Sequence, residues 1–316
     1  MKNGKVTIVV PIYGDWPSLK DCINSLKEHV DTNKHRIIFV NDCGPRADLI
    51  EQNVKQTLAD QHNYYYFRNS KNLGFVRTCN RAVFELDKTD NDVLLLNSDT
   101  KVIKGFLDEM LEVLYSDSKI GTVSPRSNNA TIATIPLSAA NQKGINPQQS
   151  YKVFIKLKSK LPRYSEVPTA HGFCILIRRG LIKRLGLFDP AFGKGYGEEV
   201  DFCQRIKKRG YISVLSNWSY VFHLEARSFT LEAKKMILEK NNQIIRQRYP
   251  GYQQSVKEYI ERALKIEERL YTTGSTKPAS ENILKKDIQR NRKIHWLTRN
   301  IRKVQKQIIR GVDNRY

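Results

Sequence analysis

At 316 residues, 40% of them hydrophobic, the chain is long enough to bury one large core, or a core with a smaller appendage. A formal charge of +22 narrows the partners to anionic ones: nucleic acid, an acidic membrane surface or small phosphorylated molecules. Five cysteines with no CxxC pair and no Cys/His zinc spacing argue for reduced thiols in a cytoplasmic setting, and no leader pattern or apolar run of about 18 residues points to export or a membrane span.

The first 125 residues alternate strand and helix. Val6 to Val10 is a β-branched apolar run, broken by Pro11-Ile12-Tyr13-Gly14-Asp15. Ser18 with Asp21 predicts a capping box, and Leu19, Cys22, Ile23 and Leu26 form one apolar helical face. Arg36 to Val40 predicts a second strand ending at Asn41-Asp42, Tyr64 to Phe67 a third, Leu73 to Leu86 a helix, Val93 to Leu96 a fourth strand and Phe106 to Leu114 a helix. This series predicts a parallel, doubly wound arrangement in an α/β fold.

Residues 126–168 lose that rhythm and read as a long surface excursion near a functional site. Regularity returns at Phe173 to Ile177. A glycine-rich stretch, Phe192 to Gly197, then leads into a helix over 198–209 that starts with acids and ends with bases, as the helix dipole favours. A buried strand closing on Asn97-Ser98-Asp99 would deliver a carboxylate to the carboxyl edge of the sheet, where ligands of open α/β sheets bind.

Pro11-Ile12-Tyr13, Asn41-Asp42, Asn72-Leu73-Gly74-Phe75, Asn97-Ser98-Asp99-Thr100, and Phe188-Asp189 through Gly197-Glu198-Glu199-Val200-Asp201 to Arg205 stand in an order and spacing that resembles family 2 glycosyltransferases, over roughly residues 5 to 230. The resemblance implies a GT-A fold: one Rossmann-like mixed sheet flanked by helices. It also implies a nucleoside-diphosphate sugar donor, a divalent metal (Mn2+ or Mg2+) and inversion at the anomeric carbon. On that basis residues 1–235 are expected to be the catalytic domain, split into a nucleotide-binding half (1–125) and an acceptor-binding half (126–235). Residues 236–316 are expected to be a helical, basic extension.

The same resemblance suggests roles for individual residues. Asp99 sits at the family's DxD position and would bind the metal that neutralises the leaving diphosphate, with Asn97 in place of the first acid and Ser98 between them. His223 is expected as a second metal ligand, its imidazole suiting Mn2+ better than Mg2+, with Glu225 as a spare. Glu198 and Glu199 occupy the family's Glu-Asp pair, with Glu199 as general base and Glu198 as acceptor ligand. Asp201 is a further substrate contact, or else pairs with Arg205 one helical turn on. Asp42 would accept the imide hydrogen of uracil or thymine, favouring UDP or dTDP donors over cytidine ones and leaving guanine open. Pro11 and Tyr13 would frame the base, Asn72, Arg77 and Asn80 the ribose or diphosphate, and His171, next to Gly172, the acceptor.

In the tail, residues 281–316 carry eleven Lys/Arg against three acids, with Ile294, Leu297, Ile301, Val304 and Ile308 at helical spacing. This basic amphipathic pattern suits an anionic membrane surface or self-association. Two other readings remain at this level: a glycan-binding relative without catalysis, and a nucleic-acid binder, which lacks a recognisable motif and carries acids where phosphate would approach.

Overall fold

The computed structural model describes residues 4–140, 146–224 and 231–272. The first half is built from β1 (Val6–Ile12), α1 (Trp16–His29), β2 (Arg36–Asn41), α2 (Ala47–Leu58), β3 (Tyr64–Arg68), α3 (Phe75–Arg81, continued by a π-helical turn at Ala82–Leu86) and β4 (Asp92–Leu96). There follow β5 (Thr100–Val102), α4 (Phe106–Ser116), β6 (Ile120–Arg126), α5 (Pro147–Leu157), β7 (Tyr164–Val167), β8 (Cys174–Ile177), α6 (Arg179–Leu185), α7 (Glu198–Lys207), β9 (Ile212–His223), α8 (Leu231–Arg248) and α9 (Tyr252–Thr272).

One nine-stranded sheet has the order β3-β2-β1-β4-β8-β6-β9-β5, with β7 on the side of β9. β1 lies parallel to β2 and β4, and β2 parallel to β3. Helices cover both faces of this half, so the consecutive strand residues Ile8, Val9 and Val10 are all fully buried. β8 runs antiparallel to both β4 and β6. The sheet is therefore mixed: the parallel run of the first half is interrupted at β8, and β6 and β9 are again parallel to each other.

Three local expectations are corrected. α1 begins at Trp16 behind Asp15, whose φ is 51°, so Ser18 is already inside the helix and forms no capping box; its apolar face is as expected, with Leu19, Cys22, Ile23 and Leu26 buried. The helix expected over 73–86 starts at Phe75, after Gly74. Part of the supposed surface excursion is not on the surface: Ile132, Ala133, Ile135 and Leu137 are buried, and Ile135 packs with Phe154, Leu157, Leu161 and Tyr220 in a second apolar cluster. Apolar residues scattered among Asn, Gln and Pro have no period to reveal this burial.

A division at 235/236 would cut α8. Ile245 on α8, and Val256, Ile260 and Leu264 on α9, belong to the main core cluster. Among the described residues no helix is long and apolar enough to cross a membrane. The basic stripe from Ile294 to Ile308, and Glu225, lie outside the described residues.

Candidate active site

β1, β2 and β4 are parallel, so their carboxyl ends bring Tyr13, Asp42 and Asn97-Ser98-Asp99 to one edge of the sheet. Pro11 lies within β1, and Tyr13 follows it against the turn after β2. There Gly44 approaches so closely that a Cβ would stand 1.9 Å from the Tyr13 carbonyl oxygen. Only glycine fits that position.

Asp42 is buried, and three donors already hold its carboxylate. Asn69 Nδ2 and the Leu73 N–H donate to Oδ1 at 2.7 and 2.8 Å, and the Gly74 N–H donates to Oδ2 at 2.9 Å. Asp42 thus shapes the Asn72-Leu73-Gly74 turn that launches α3. Asn72 and Arg77 are exposed beside it. Asn80 departs from expectation: its amide exchanges two hydrogen bonds with the Phe188 backbone, at 2.8 and 3.1 Å, and is not presented to a ribose or diphosphate.

On the other side of β4, the half-buried Asn97-Ser98-Asp99 turn is tied down by the Asn97 N–H donating to the Phe173 carbonyl (2.8 Å) and the Thr100 hydroxyl donating to the Asn97 carbonyl (2.7 Å). The antiparallel β5–β9 ladder sets Thr100 opposite His223. That register brings His223 Nε2 to 3.4 Å from Asp99 Oδ1. His223 Nδ1 donates to the Asn129 carbonyl at 2.7 Å, since a carbonyl can only accept. Nε2 therefore meets Asp99 either as imidazolium or through a lone pair.

This donor pair fits a divalent cation. Neighbouring ligands at about 2.1 Å from a small cation lie about 3 Å apart, close to the observed separation. The Nδ1–carbonyl bond is the kind of outer contact that orients a ligating imidazole. Among the described residues no group of three or more His, Cys, Asp and Glu gathers as a metal cage. A cation here would complete its shell with water and donor phosphates, as Mg2+ and Mn2+ do at nucleotide sites.

The two glutamates open α7, behind Gly197 with φ 96°. Glu198 is buried and its Oε2 has no hydrogen-bond partner. Burial, reinforced by the neighbouring Glu199, pushes its carboxyl well above the usual carboxylate range. Glu199 is half-buried and its carboxyl is also raised by burial, but the backbone N–H groups of Glu199, Gly197 and Val200 oppose that rise; the Gly197 contact is 3.1 Å from Oε2. The environments separate the pair: Glu198 is the better proton holder and Glu199 the better carboxylate.

Short links join the metal pair to the glutamates. A Cβ on Gly172 would lie 3.6 Å from Glu199 Cδ and 3.8 Å from Glu198 Oε1. The next residue, Phe173, stacks on His223 with ring centroids 5.1 Å apart. His171 packs edge-on against Phe173, and its backbone N–H donates to the Ser124 hydroxyl at 2.9 Å. The 171–173 segment thus touches His223 through Phe173 and faces the two glutamates through Gly172.

Asp201 does not join them. It is fully buried, with Oδ2 taken by Arg205 Nε (2.8 Å) and Oδ1 by Arg248 Nη1 (2.9 Å) and the Tyr249 hydroxyl (2.8 Å). The expected substrate contact is corrected to an anchor of α7, which includes the i+4 pair with Arg205. Sequence reasoning missed Asn128, whose side chain bonds both the N–H and the carbonyl of His223 at 2.9 and 2.8 Å. Nothing local to Asn128-Asn129 points to a partner so far along the chain.

A half-parallel sheet with an antiparallel β8, an Asp/His edge and an acidic helix start describe a glycosyltransferase of the GT-A class. Residues 7–186 match the profile of glycosyl transferase family 2, more than half of the chain, and the protein belongs to that family. Among curated relatives, the N-acetylglucosaminyl-diphospho-decaprenol L-rhamnosyltransferase of Mycobacterium tuberculosis is 23% identical over 241 residues, covering 70% of this chain and 76% of that one. Two solved glycosyltransferases share the fold. GalNAc-T7 with UDP, GalNAc and Mn2+ superposes with TM-score 0.57 at 15% identity, over 76% of this chain and 47% of that one, about half its length. The mannosyltransferase PcManGT of Pyrobaculum calidifontis, with GDP-Man and Mn2+, gives TM-score 0.56 at 14% identity, over 98% of this chain and 85% of that one.

Proposed function

We propose that the protein is an inverting, metal-dependent enzyme that moves a sugar from a nucleoside-diphosphate donor to a hydroxyl of a glycan, glycolipid or glycoprotein acceptor. The observation that carries this reading is the approach of His223 to Asp99, with the Gly172-Phe173 segment packed between His223 and Glu199. A diphosphate needs a cation and a nucleophile needs a base, and inversion needs them on opposite sides of one anomeric carbon.

Asp99 and His223 would hold Mn2+ or Mg2+, whose charge, when bound, stabilises the departing diphosphate. Glu199 accepts the proton of the acceptor hydroxyl as its oxygen bonds to the anomeric carbon and the bond to the diphosphate breaks. Glu198, whose burial favours the protonated form, donates a hydrogen bond to the acceptor and limits the negative charge beside Glu199. His171 lines the acceptor side.

Three of the acceptor positions on the Asp42 carboxylate are filled by the chain itself. The fourth, on Oδ2, suits the imide hydrogen of uracil or thymine, which favours a UDP- or dTDP-sugar. Tyr13 and Pro11 frame the base, while Asn72 and Arg77 stand toward ribose and phosphate. The rhamnosyltransferase relative, named for a lipid-linked diphosphate acceptor, supports an acceptor of that kind. The test is a screen of nucleotide sugars for hydrolysis and thermal stabilisation, with Mn2+ and with EDTA. Cation-dependent stabilisation by one nucleotide, with turnover of its sugar, is expected. Stabilisation by a glycan alone, without turnover, would favour a binding protein.

A further inference from the structure

α8 packs one stripe of residues on the segment that carries the two glutamates. Asn241 is buried at 2% exposure, and its side-chain Nδ2 donates to three carbonyls of the glycine loop: Phe192 at 3.0 Å, Gly195 at 2.8 Å and Tyr196 at 2.9 Å. One turn on, Ile245 Cγ1 would meet a Cβ at Gly197 at 3.5 Å. A further turn on, Arg248 and Tyr249 hold Asp201 inside α7. Positions 241, 245, 248 and 249 share a helical stripe, so a single rigid rod grips the loop before Glu198 and the first turn after Glu199.

The opposite side of the loop faces the donor half. A Cβ on Gly74 would lie 3.2 Å from Lys194 Cα, and one on Gly195 would lie 3.5 Å from Phe75 Cβ. The loop is therefore held between the start of α3 and α8. Its backbone also supplies the Gly197 N–H that donates to Glu199 Oε2 at 3.1 Å.

Resting on the reading of Glu199 as the base, we infer that α8 is a brace for the catalytic pair and that Asn241 is its positioning residue. An amide has two hydrogens to offer, and three carbonyls crowd them. These carbonyls would repel one another without a shared donor, and loop backbone that loses its buried partner must move to find another. A base misplaced by about 1 Å costs about a hundredfold in rate, whereas the Asn72-Leu73-Gly74 turn on the donor side is held independently by the Asp42 carboxylate.

The experiment uses the full chain with Asn241→Leu, which keeps the size and removes the donors. The expected result is a kcat lower by about 10- to 100-fold with donor KM within about twofold, an acid limb of kcat moved to higher pH, and faster hydrogen exchange at the amides of 193–199 only. A purely structural residue would lower the folded fraction and leave the limb in place. Unchanged exchange in the loop, or an unmoved limb with kcat within about twofold, overturns the brace. Should the Leu variant not fold, Tyr249→Phe removes only the hydroxyl on Asp201 and is expected to shift the limb the same way by less; an unmoved limb there overturns it too. If the wild type transfers no sugar, the glycosyl-transfer reading fails, while the exchange measurement still decides the brace.

Discussion

Gly172 lies directly against Glu199: a side-chain carbon on the glycine would stand 3.6 Å from the carboxyl carbon of the glutamate. The start of β8 therefore forms the floor under the base. A methyl group fits at that distance but a larger side chain does not, so Gly172→Val is expected to lower transfer sharply while leaving nucleotide binding in place. Steady-state kinetics beside calorimetric nucleotide titration check this, and an undiminished kcat would contradict it.

Asp99→Ala is expected to abolish cation-dependent nucleotide binding. At a hundredfold excess over Kd, ligand stabilises the wild type by about 2.7 kcal/mol, a thermal shift of several degrees. The variant should show no difference between Mn2+ and EDTA. His223→Ala should weaken the effect and shift what remains from Mn2+ toward Mg2+.

Glu199→Gln is expected to bind donor as the wild type does and to lose transfer by about 100-fold or more, because the shape stays and the proton acceptor goes. In the wild type the base works only when ionised. Burial raises its carboxyl, so kcat should fall as pH drops through that raised value, at a higher pH than an exposed glutamate would give. If Glu198→Gln silences transfer and Glu199→Gln does not, the roles are exchanged.

Glu198 makes a prediction about stability. Its folded carboxyl holds its proton more tightly than the unfolded one, so the folded state binds more protons above about pH 4.3. Its contribution is fully present below that pH and is lost as pH rises through the raised folded value. Glu198→Gln removes the penalty. The variant should melt above the wild type near about pH 8, and the gap should close toward about pH 4. Melting curves across that range check the sign.

Asp201→Ala is expected to cost about 2–4 kcal/mol in urea unfolding, since it strands Arg205, Arg248 and the Tyr249 hydroxyl around a buried hole. A stable variant with only a raised acceptor KM would return Asp201 to the substrate.

Much of this architecture is legible in the sequence because strands buried on both faces read as unbroken apolar runs, and because the residues closing β1, β2 and β4 share an edge once those strands are parallel. The reversed direction of β8 is not legible, since side-chain alternation is the same in either direction. Nor is the burial of 130–140, or the grip of Asn241 and Asn128 on distant backbone. Those contacts depend on loop paths, which hydrophobic period does not encode. Asp201 shows the same limit: an acid in the right place along the chain reads as a ligand contact, yet this one spends its hydrogen bonds on its own scaffold.

The Asn128 side chain imitates one rung of a β-ladder. By giving and taking one hydrogen bond at His223, it occupies the edge of β9 beyond the end of its pairing with β6, while Thr100 lies opposite on the other edge. The amide is thus a peg that sets the sliding position of the strand. A slip of one residue would present Phe222 or Leu224 to Asp99 in place of the imidazole, turning an ion-binding corner into a greasy one without changing the fold.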